Sequence, residues 1–207
     1  MYSKFLNLEK EKQDRIINAA INEFAQKGFD KASTNEIVKG AEISKGLLFH
    51  YFQNKKQLYF FLFDYCYEMI ADAYYQHVDL DEKDFFARVQ KAVILKMQLQ
   101  KDYPALFKFM ESACFEDSNE VKQEMELKIK QLSEVNFGKI FEGIDTSKFR
   151  DDVDVTKILK IITWTLEKVS EEERMKVRHS PSHEINYAEV KVIADEYLEI
   201  LAKCFYK

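Results

Sequence analysis

The chain has 207 residues, of which 46% are apolar and 32% charged, the balance of a globular protein with one or two domains. Its net charge of −5 hides an asymmetry, because the first 60 residues carry ten basic and seven acidic side chains, or +3, and the remainder carries −8. With only five glycines and two prolines the chain has too few breaks for many short strands, so we expect a mostly helical fold.

The signatures of several functional classes are missing. No run approaches the roughly twenty apolar residues of a membrane span, and no apolar leader follows Met1, so we expect a cytoplasmic protein without membrane contact. Phosphate-binding loops, zinc-protease motifs and nucleophile elbows are absent, and we expect neither an enzyme nor a cofactor. His179 and His183 have the spacing of helical metal ligands, but Pro181 lies between them, so no metal site is expected.

Two elements are predicted before residue 30. The residues up to Asn7 show no helical periodicity and are expected to form a flexible lead. From Leu8 to Lys27 apolar residues recur at helical spacing, and Gly28 is expected to end that helix. We expect this helix to brace the segment that follows.

The next stretch has the pattern of a helix, a tight turn and a second helix between about residues 33 and 52. Ser33 or Thr34 can cap the first helix, because either hydroxyl can accept a bond from a backbone N–H. The pattern is interrupted at residues 40–43, and Ser44 is a second cap candidate, followed by an apolar helix. This order predicts a helix-turn-helix.

In DNA-binding proteins of this type the second helix enters the major groove and meets it with its N-terminal residues. Here those residues are Ser44, Lys45 and Gly46, which offer a hydroxyl, a cation and an unobstructed backbone. Donors suited to phosphate oxygens follow at His50, Tyr51 and Lys55. The pattern alone leaves open an ordinary three-helix bundle in which the lysines are merely solvated.

A longer pattern surrounds this segment. It includes the Phe-Ala-x-x-Gly-Phe run at residues 24–29, Thr34, Ile37, Ala41, Ser44-Lys45-Gly46, the aromatic segment 49–52 and Lys55. Over about fifty residues the chain therefore resembles the DNA-binding domain of TetR-family transcriptional regulators. The resemblance departs at Glu42, where the family usually has a turn glycine, and at Phe49, where it usually has tyrosine. It implies DNA contacts at the following positions: Thr34, Ser44, Lys45, Gly46, Phe49, His50, Tyr51 and Lys55.

A long aromatic helix is predicted from Lys55 to about His77. Because most of its sides are apolar, we expect it to be buried and to link the helix-turn-helix to the helices that follow. Further helices are expected at 85–99, 104–114, 121–141, 154–169 and 184–206, with a polar loop at 174–182. The chain is thus expected to be all-α with about nine helices. We divide it into a helix-turn-helix domain at 8–55 and a ligand-binding and dimerisation domain at 56–207.

Two further sets of residues are assigned to this second domain. Aromatic and sulfur-bearing side chains that could line a pocket for a hydrophobic or aromatic molecule, with plain core as the alternative, are Phe63, Tyr67, Met97, Phe107, Met110, Cys114 and Trp164. The two C-terminal helices carry more apolar surface than one bundle needs, which suggests a homodimer, and the resemblance implies a four-helix interface. The residues expected at that interface are Ile158, Ile162, Val190, Tyr197, Leu198, Leu201 and Phe205.

Together the residues and the resemblance predict a dimeric transcriptional regulator that acts as a repressor, binds a pseudo-palindromic operator and leaves it when an apolar effector binds. Two alternatives stay open on the same sequence: a helical protein-interaction module without DNA recognition, and an activator with the same fold.

Overall fold

The computed structural model describes residues 2–178 and 186–207, and over these residues the prediction of an all-α fold is confirmed. The α-helices, in chain order, are α1 Ser3–Leu6, α2 Lys10–Lys31, α3 Thr34–Gly40, α4 Lys45–Phe52, α5 Lys55–His77, α6 Phe85–Asp102, α7 Pro104–Cys114, α8 Lys122–Phe141, α9 Val155–Arg178 and α10 Tyr187–Phe205. A 3₁₀ turn lies at Thr146–Lys148, between α8 and α9.

The predicted element bounds hold where local signals are strong. Helix α5 runs from Lys55 to His77 as expected, and Pro104 opens α7 in the first turn, where a missing N–H costs nothing. The loop expected at 174–182 is wrong over its first part, because α9 continues to Arg178. The remainder of that loop, and the expected start of the last helix at Glu184, lie outside the described residues.

The prediction of a flexible N-terminal lead is wrong. Residues 3–6 form the short helix α1, and Phe5 is fully buried. Its ring lies 4.8 Å from that of Phe52 and 5.2 Å from that of Phe61, between centroids. Helix α1 is too short to be stable alone, so this aromatic packing is what orders it.

Gly28 interrupts the second helix at the position where the sequence predicts its end, and a further helical turn follows it. Helix α2 continues to Lys31, but Gly28 has φ +69° and ψ −179°, a conformation that only glycine adopts readily, so the helix is kinked there. The last turn, residues 28–31, therefore leaves in a direction of its own and leads into α3.

By packing, the described chain separates into two compact units. The first comprises the chain up to Gln76 together with Leu99–Phe137. In it α2 packs against both α3 and α7, around a core rich in aromatic rings. Its fully buried large side chains include Phe5, Phe24, Phe29, Phe52, Tyr59, Phe63 and Phe109. The division at residue 55 concerns function, and it stays a prediction.

The second unit comprises His77–Gln98 and the chain from Gly138 onward. In it α9 packs against α10, and the rings of Phe85, Phe86, Phe149 and Tyr206 form an aromatic cluster. Arg88 is 1% exposed and donates hydrogen bonds to the carbonyl oxygens of Glu82, Leu80 and Glu142 at 2.6–2.8 Å. It thereby ties the loop before α6 to the end of α8.

Candidate nucleic-acid interface

The turn between α3 and α4 is built by a left-handed residue. Glu42 has φ +55°, at the position where the resemblance leads one to expect glycine. This conformation lets the Ile43 N–H donate to the Val38 carbonyl oxygen at 3.0 Å, which satisfies one of the last carbonyls of α3. Ile37 and Ala41 are fully buried beside the turn and fix the angle at which the second helix leaves.

Helix α4 starts as the sequence predicts. The Ser44 hydroxyl oxygen accepts a hydrogen bond from the Leu47 N–H at 3.2 Å, so Ser44 is the N-cap. Ser33 occupies the N-cap position of α3, but neither its own hydroxyl nor any other side chain caps that helix. On α4, Leu48 and Phe52 lie four residues apart and are fully buried, which anchors one face in the core.

The opposite face of α4 is open. Lys45, Gly46 and His50 are exposed, and Phe49 is half-buried beside them. Lys45 has no ion-pair partner among the described residues, and its ammonium lies 6.0 Å from the centre of the Phe49 ring. A Cβ placed on Gly46 would meet no atom within 4 Å, so the backbone here is accessible to close approach. This face can offer cations and backbone to an anionic partner.

Two other predicted contact residues flank this surface. Thr34, in the first turn of α3, is half-buried, as is Tyr51 near the end of α4. The Tyr51 ring lies 6.0 Å from that of Phe5, edge to face, so α1 braces the last turn of the second helix. Sequence reasoning missed this bracing, for which the spacing of Tyr2 and Phe5 was too little signal.

Lys55 is engaged inside the protein. Its ammonium donates to the carbonyl oxygens of Asp30 and Ala32, at 3.2 Å and 3.1 Å, and lies 4.5 Å from the centre of the Phe29 ring. A cation at the end of a helix satisfies free carbonyls and complements the helix dipole. Lys55 therefore caps the last turn of α2, and its contact with phosphate stays a prediction.

A half-buried carboxylate, that of Glu23, fixes the start of α3. Glu23 accepts hydrogen bonds from the Lys27 ammonium and from the Ser33 N–H, both at 2.8 Å. Burial acts to raise the pKa of Glu23, but these two hydrogen bonds and the charge of Lys27 outweigh it, and the pKa lies below its usual range. Glu23 thus stays charged near neutral pH and holds the backbone that enters the helix-turn-helix.

The residues predicted to line a ligand pocket are divided between the two units. In the first unit Phe63 is buried, Tyr67, Phe107 and Met110 are half-buried, and Cys114 is exposed. In the second unit Met97 is half-buried, whereas Trp164 is 62% exposed. Trp164 therefore lies on the surface of a single chain, and the other six remain candidates.

The residues predicted at the dimer interface also differ in exposure. Ile158, Ile162 and Leu198 are buried within the second unit, Val190, Leu201 and Phe205 are half-buried, and Tyr197 is 44% exposed. The large apolar side chains that α9 and α10 leave exposed include Ile161, Trp164, Tyr197 and Ile200. The apolar pattern of these helices is wide enough to serve both the core and the surface, and sequence alone did not separate the two.

Other kinds of site find no support in the described part of the chain. It contains no group of three His, Cys, Asp or Glu side chains placed to hold a metal ion. His179 and His183 lie outside it. Nor does any of its helices combine the length and hydrophobicity needed to cross a membrane.

Comparison with known proteins finds a family that the N-terminal part of the chain matches. Residues 16–60 match the family described as "Bacterial regulatory proteins, tetR family". An uncharacterised HTH-type transcriptional regulator of Bacillus subtilis, YuxN, is 42% identical over 59 residues, which are 28% of this chain and 20% of that protein. The chain thus matches only a fifth of the length of this relative.

Solved structures show that the whole fold is shared. A TetR family transcriptional regulator from Chloroflexus aurantiacus aligns with a TM-score of 0.64 and 22% identity, over 99% of this chain and 98% of the other. The transcriptional regulator FadR from Bacillus subtilis, in complex with stearoyl-CoA, aligns with a TM-score of 0.64 and 19% identity, over 91% and 96% of the two chains.

Proposed function

We propose that this chain, whose N-terminal domain is of the tetR family, is a dimeric DNA-binding regulator of transcription that responds to an apolar small molecule. The observation that carries the proposal is the open face of α4, where Lys45 and Gly46 follow the Ser44 cap while Leu48 and Phe52 hold the helix in the core. A capped helix of this kind can present its first turn to base edges and phosphates in the major groove.

The DNA-binding part of the proposal is tested with the full-length protein and its own genomic DNA. Fragments retained by the protein are selected, and their affinity is compared with that of random duplex at several salt concentrations. Lys45→Ala should weaken binding of the selected fragment about tenfold, as expected for one lost base or phosphate contact. Lys130→Ala is the matched control, because Lys130 is an exposed cation on α8 of the same unit. No preference for any fragment would instead favour a protein-interaction module.

The dimer is proposed to form through the exposed apolar face of α9 and α10 that Ile161, Trp164, Tyr197 and Ile200 provide. Two copies related by a two-fold axis would then present their two α4 helices, the recognition helices, to successive major grooves roughly 34–36 Å apart. Trp164→Glu should give a monomer in sedimentation and lose affinity for the selected fragment. Ile94→Glu, which alters an apolar side chain on α6 that is 52% exposed, is the control and should stay dimeric.

An apolar effector is supported by the aromatic and sulfur-bearing side chains on α5 and α7, among them Tyr67, Phe107 and Met110. The structural neighbour FadR, whose structure contains stearoyl-CoA, supplies a first probe. Stearoyl-CoA should displace the protein from the selected fragment, whereas free coenzyme A should not. If neither compound displaces the protein, long-chain acyl-CoA is excluded as the class of effector.

We propose that the protein represses transcription. A dimer bound over a promoter excludes other proteins from the same DNA, and an effector that prefers the unbound state relieves that exclusion. Deleting the gene should therefore raise transcription from the promoters whose DNA the protein selects. A fall in transcription would identify an activator on the same fold.

A further inference from the structure

The connection between α7 and α8 is joined to the kink of α2 by two short hydrogen bonds. A carboxylate oxygen of Glu116 accepts from the Phe29 N–H at 2.6 Å, and the Ser118 hydroxyl donates to Asp30 Oδ1, also at 2.6 Å. The second carboxylate oxygen of Glu116 accepts from the Ser118 N–H at 3.0 Å. Ser118 is 3% exposed, so its bond is sheltered from water.

The kink at Gly28 explains why a carboxylate is needed there. In a regular helix each N–H bonds to the carbonyl four residues before it, and the conformation of Gly28 interrupts that pattern. The Phe29 amide therefore needs another acceptor, which Glu116 supplies. A Cβ on Gly28 would lie 3.3 Å from the same carboxylate oxygen, a tight contact that the missing side chain avoids.

This contact lies next to the start of the helix-turn-helix. The segment after the kink is held on its other side by Lys55, which donates to the Asp30 and Ala32 carbonyls. Thr34 begins α3 only two residues after Ala32. The path by which the backbone enters α3 is thus set by Lys55 and the α7–α8 connection, together with Glu23, whose carboxylate accepts from the Ser33 N–H.

We propose that Glu116 and Ser118 are positioning residues for DNA recognition: by fixing Phe29 and Asp30, they set the orientation of α3 and α4 toward the duplex. This inference rests on the proposed DNA-binding function and adds to it two residues that lie 64 and 66 positions after Phe52, the last residue of α4. Neither side chain touches DNA in this scheme, and the effect on DNA passes through the last turn of α2.

Four full-length variants test the proposal: Glu116→Ala, Glu116→Gln, Ser118→Ala and, as the control, Glu120→Ala. Glu120 is an exposed carboxylate in the same connection, so its replacement matches the loss of charge. The unfolding temperature of each variant is measured first. Three further quantities are then measured well below it: hydrogen exchange of the Phe29 amide, affinity for the fragment selected by the wild type, and affinity for random duplex.

Glu116→Ala should speed exchange of the Phe29 amide about tenfold or more and lower the ratio of selected to random affinity by a similar factor, as expected when a hydrogen bond to a charged group is lost. Ser118→Ala should act in the same direction. Glu116→Gln keeps an acceptor oxygen and should restore most of the ratio, and Glu120→Ala should leave it unchanged.

The outcomes separate the inference from the function on which it rests. If the wild type does not distinguish genomic fragments from random duplex, the proposed function itself fails. If the wild type does so, and Glu116→Ala and Ser118→Ala match it or lower only the unfolding temperature, Glu116 and Ser118 are structural and the inference is overturned. Should Glu116→Ala not fold, Ser118→Ala still decides between these results.

Discussion

Lys55 and Lys45 have the same chemistry, but the structure gives them different surroundings, and exchanging each for methionine separates their roles. Methionine keeps an unbranched stem and removes the ammonium group. In Lys55→Met the Asp30 and Ala32 carbonyls lose their donor at the end of α2, and the Phe29 ring loses a cation 4.5 Å from its centre. In Lys45→Met an exposed side chain without an ion-pair partner among the described residues is replaced.

The size of the first effect follows from these contacts. Hydrogen bonds from a charged donor are worth about 1.5–3 kcal/mol each when sheltered, and a cation over an aromatic ring about 0.5–2 kcal/mol. The Lys55 side chain is half-exposed, so water replaces part of what is lost, and we expect Lys55→Met to lower the free energy of unfolding by about 1–3 kcal/mol. Lys45→Met should change it by less than about 0.5 kcal/mol.

The assays are urea denaturation and a salt titration of DNA affinity. Loss of one phosphate contact makes the negative slope of log K against log salt shallower by about 0.9. This change is expected for Lys45→Met, and for Lys55→Met it is expected only if the predicted phosphate contact forms in addition to the capping of α2. If Lys55→Met left the stability unchanged and made the salt slope shallower, the Lys55 ammonium would contact DNA rather than cap the end of α2. The capping role assigned to Lys55 would then be refuted.

Four further substitutions test single features of the fold by urea denaturation. Glu42→Gly should raise the free energy of unfolding by about 0.5–1 kcal/mol, because it relieves a left-handed residue, and a decrease would mean that the Glu42 side chain makes a contact of its own. Tyr59→Phe should raise the free energy of unfolding by about 1 kcal/mol, since the buried hydroxyl has no hydrogen-bond partner among the described residues. Tyr2→Phe should lower it by a similar amount, because the Tyr2 hydroxyl donates to Gln57. A change of the same sign in both variants would contradict this reasoning. Arg88→Met should lower it by about 3 kcal/mol, as three carbonyls lose their donor, and a change below about 1 kcal/mol would show that water replaces the guanidinium.

The sequence predicted the helix-turn-helix well because its signals are local. Ser44 lies immediately before an apolar run, and a hydroxyl at that position can satisfy the first free N–H groups of a helix, as its bond with Leu47 shows. Glu42 was singled out as a non-glycine residue at a turn, and it does adopt a positive φ. Each of these features depends on residues within one turn of the chain.

The helix at the N-terminus and the helical turn after Gly28 were not predicted, and the two have a common physical cause. Helix α1 has four residues, too few for periodicity, and is ordered by rings of Phe52 and Phe61 that lie far along the chain. At Gly28 the sequence signal for a helix end is correct as far as backbone preference goes. The helix resumes because Lys55 and Glu116 supply the hydrogen-bond partners that the kinked turn lacks, and neither residue is near it in sequence.

The net charge of the N-terminal region does not show which of its cations are already paired with carboxylates. The first 60 residues carry +3, but several of their cations are already neutralised by carboxylates, in the pairs Lys10–Asp14, Arg15–Glu11, Lys27–Glu23 and Lys56–Glu124. Lys55 is occupied by carbonyl groups, whereas Lys4, Lys12, Lys31, Lys39 and Lys45 have no ion-pair partner in the part of the chain that the structure describes. Unpaired cations release the most counterions on binding, so these five lysines would contribute most to the proposed binding of DNA. Three of them, Lys31, Lys39 and Lys45, lie on or directly before the helix-turn-helix, although the chain as a whole is acidic.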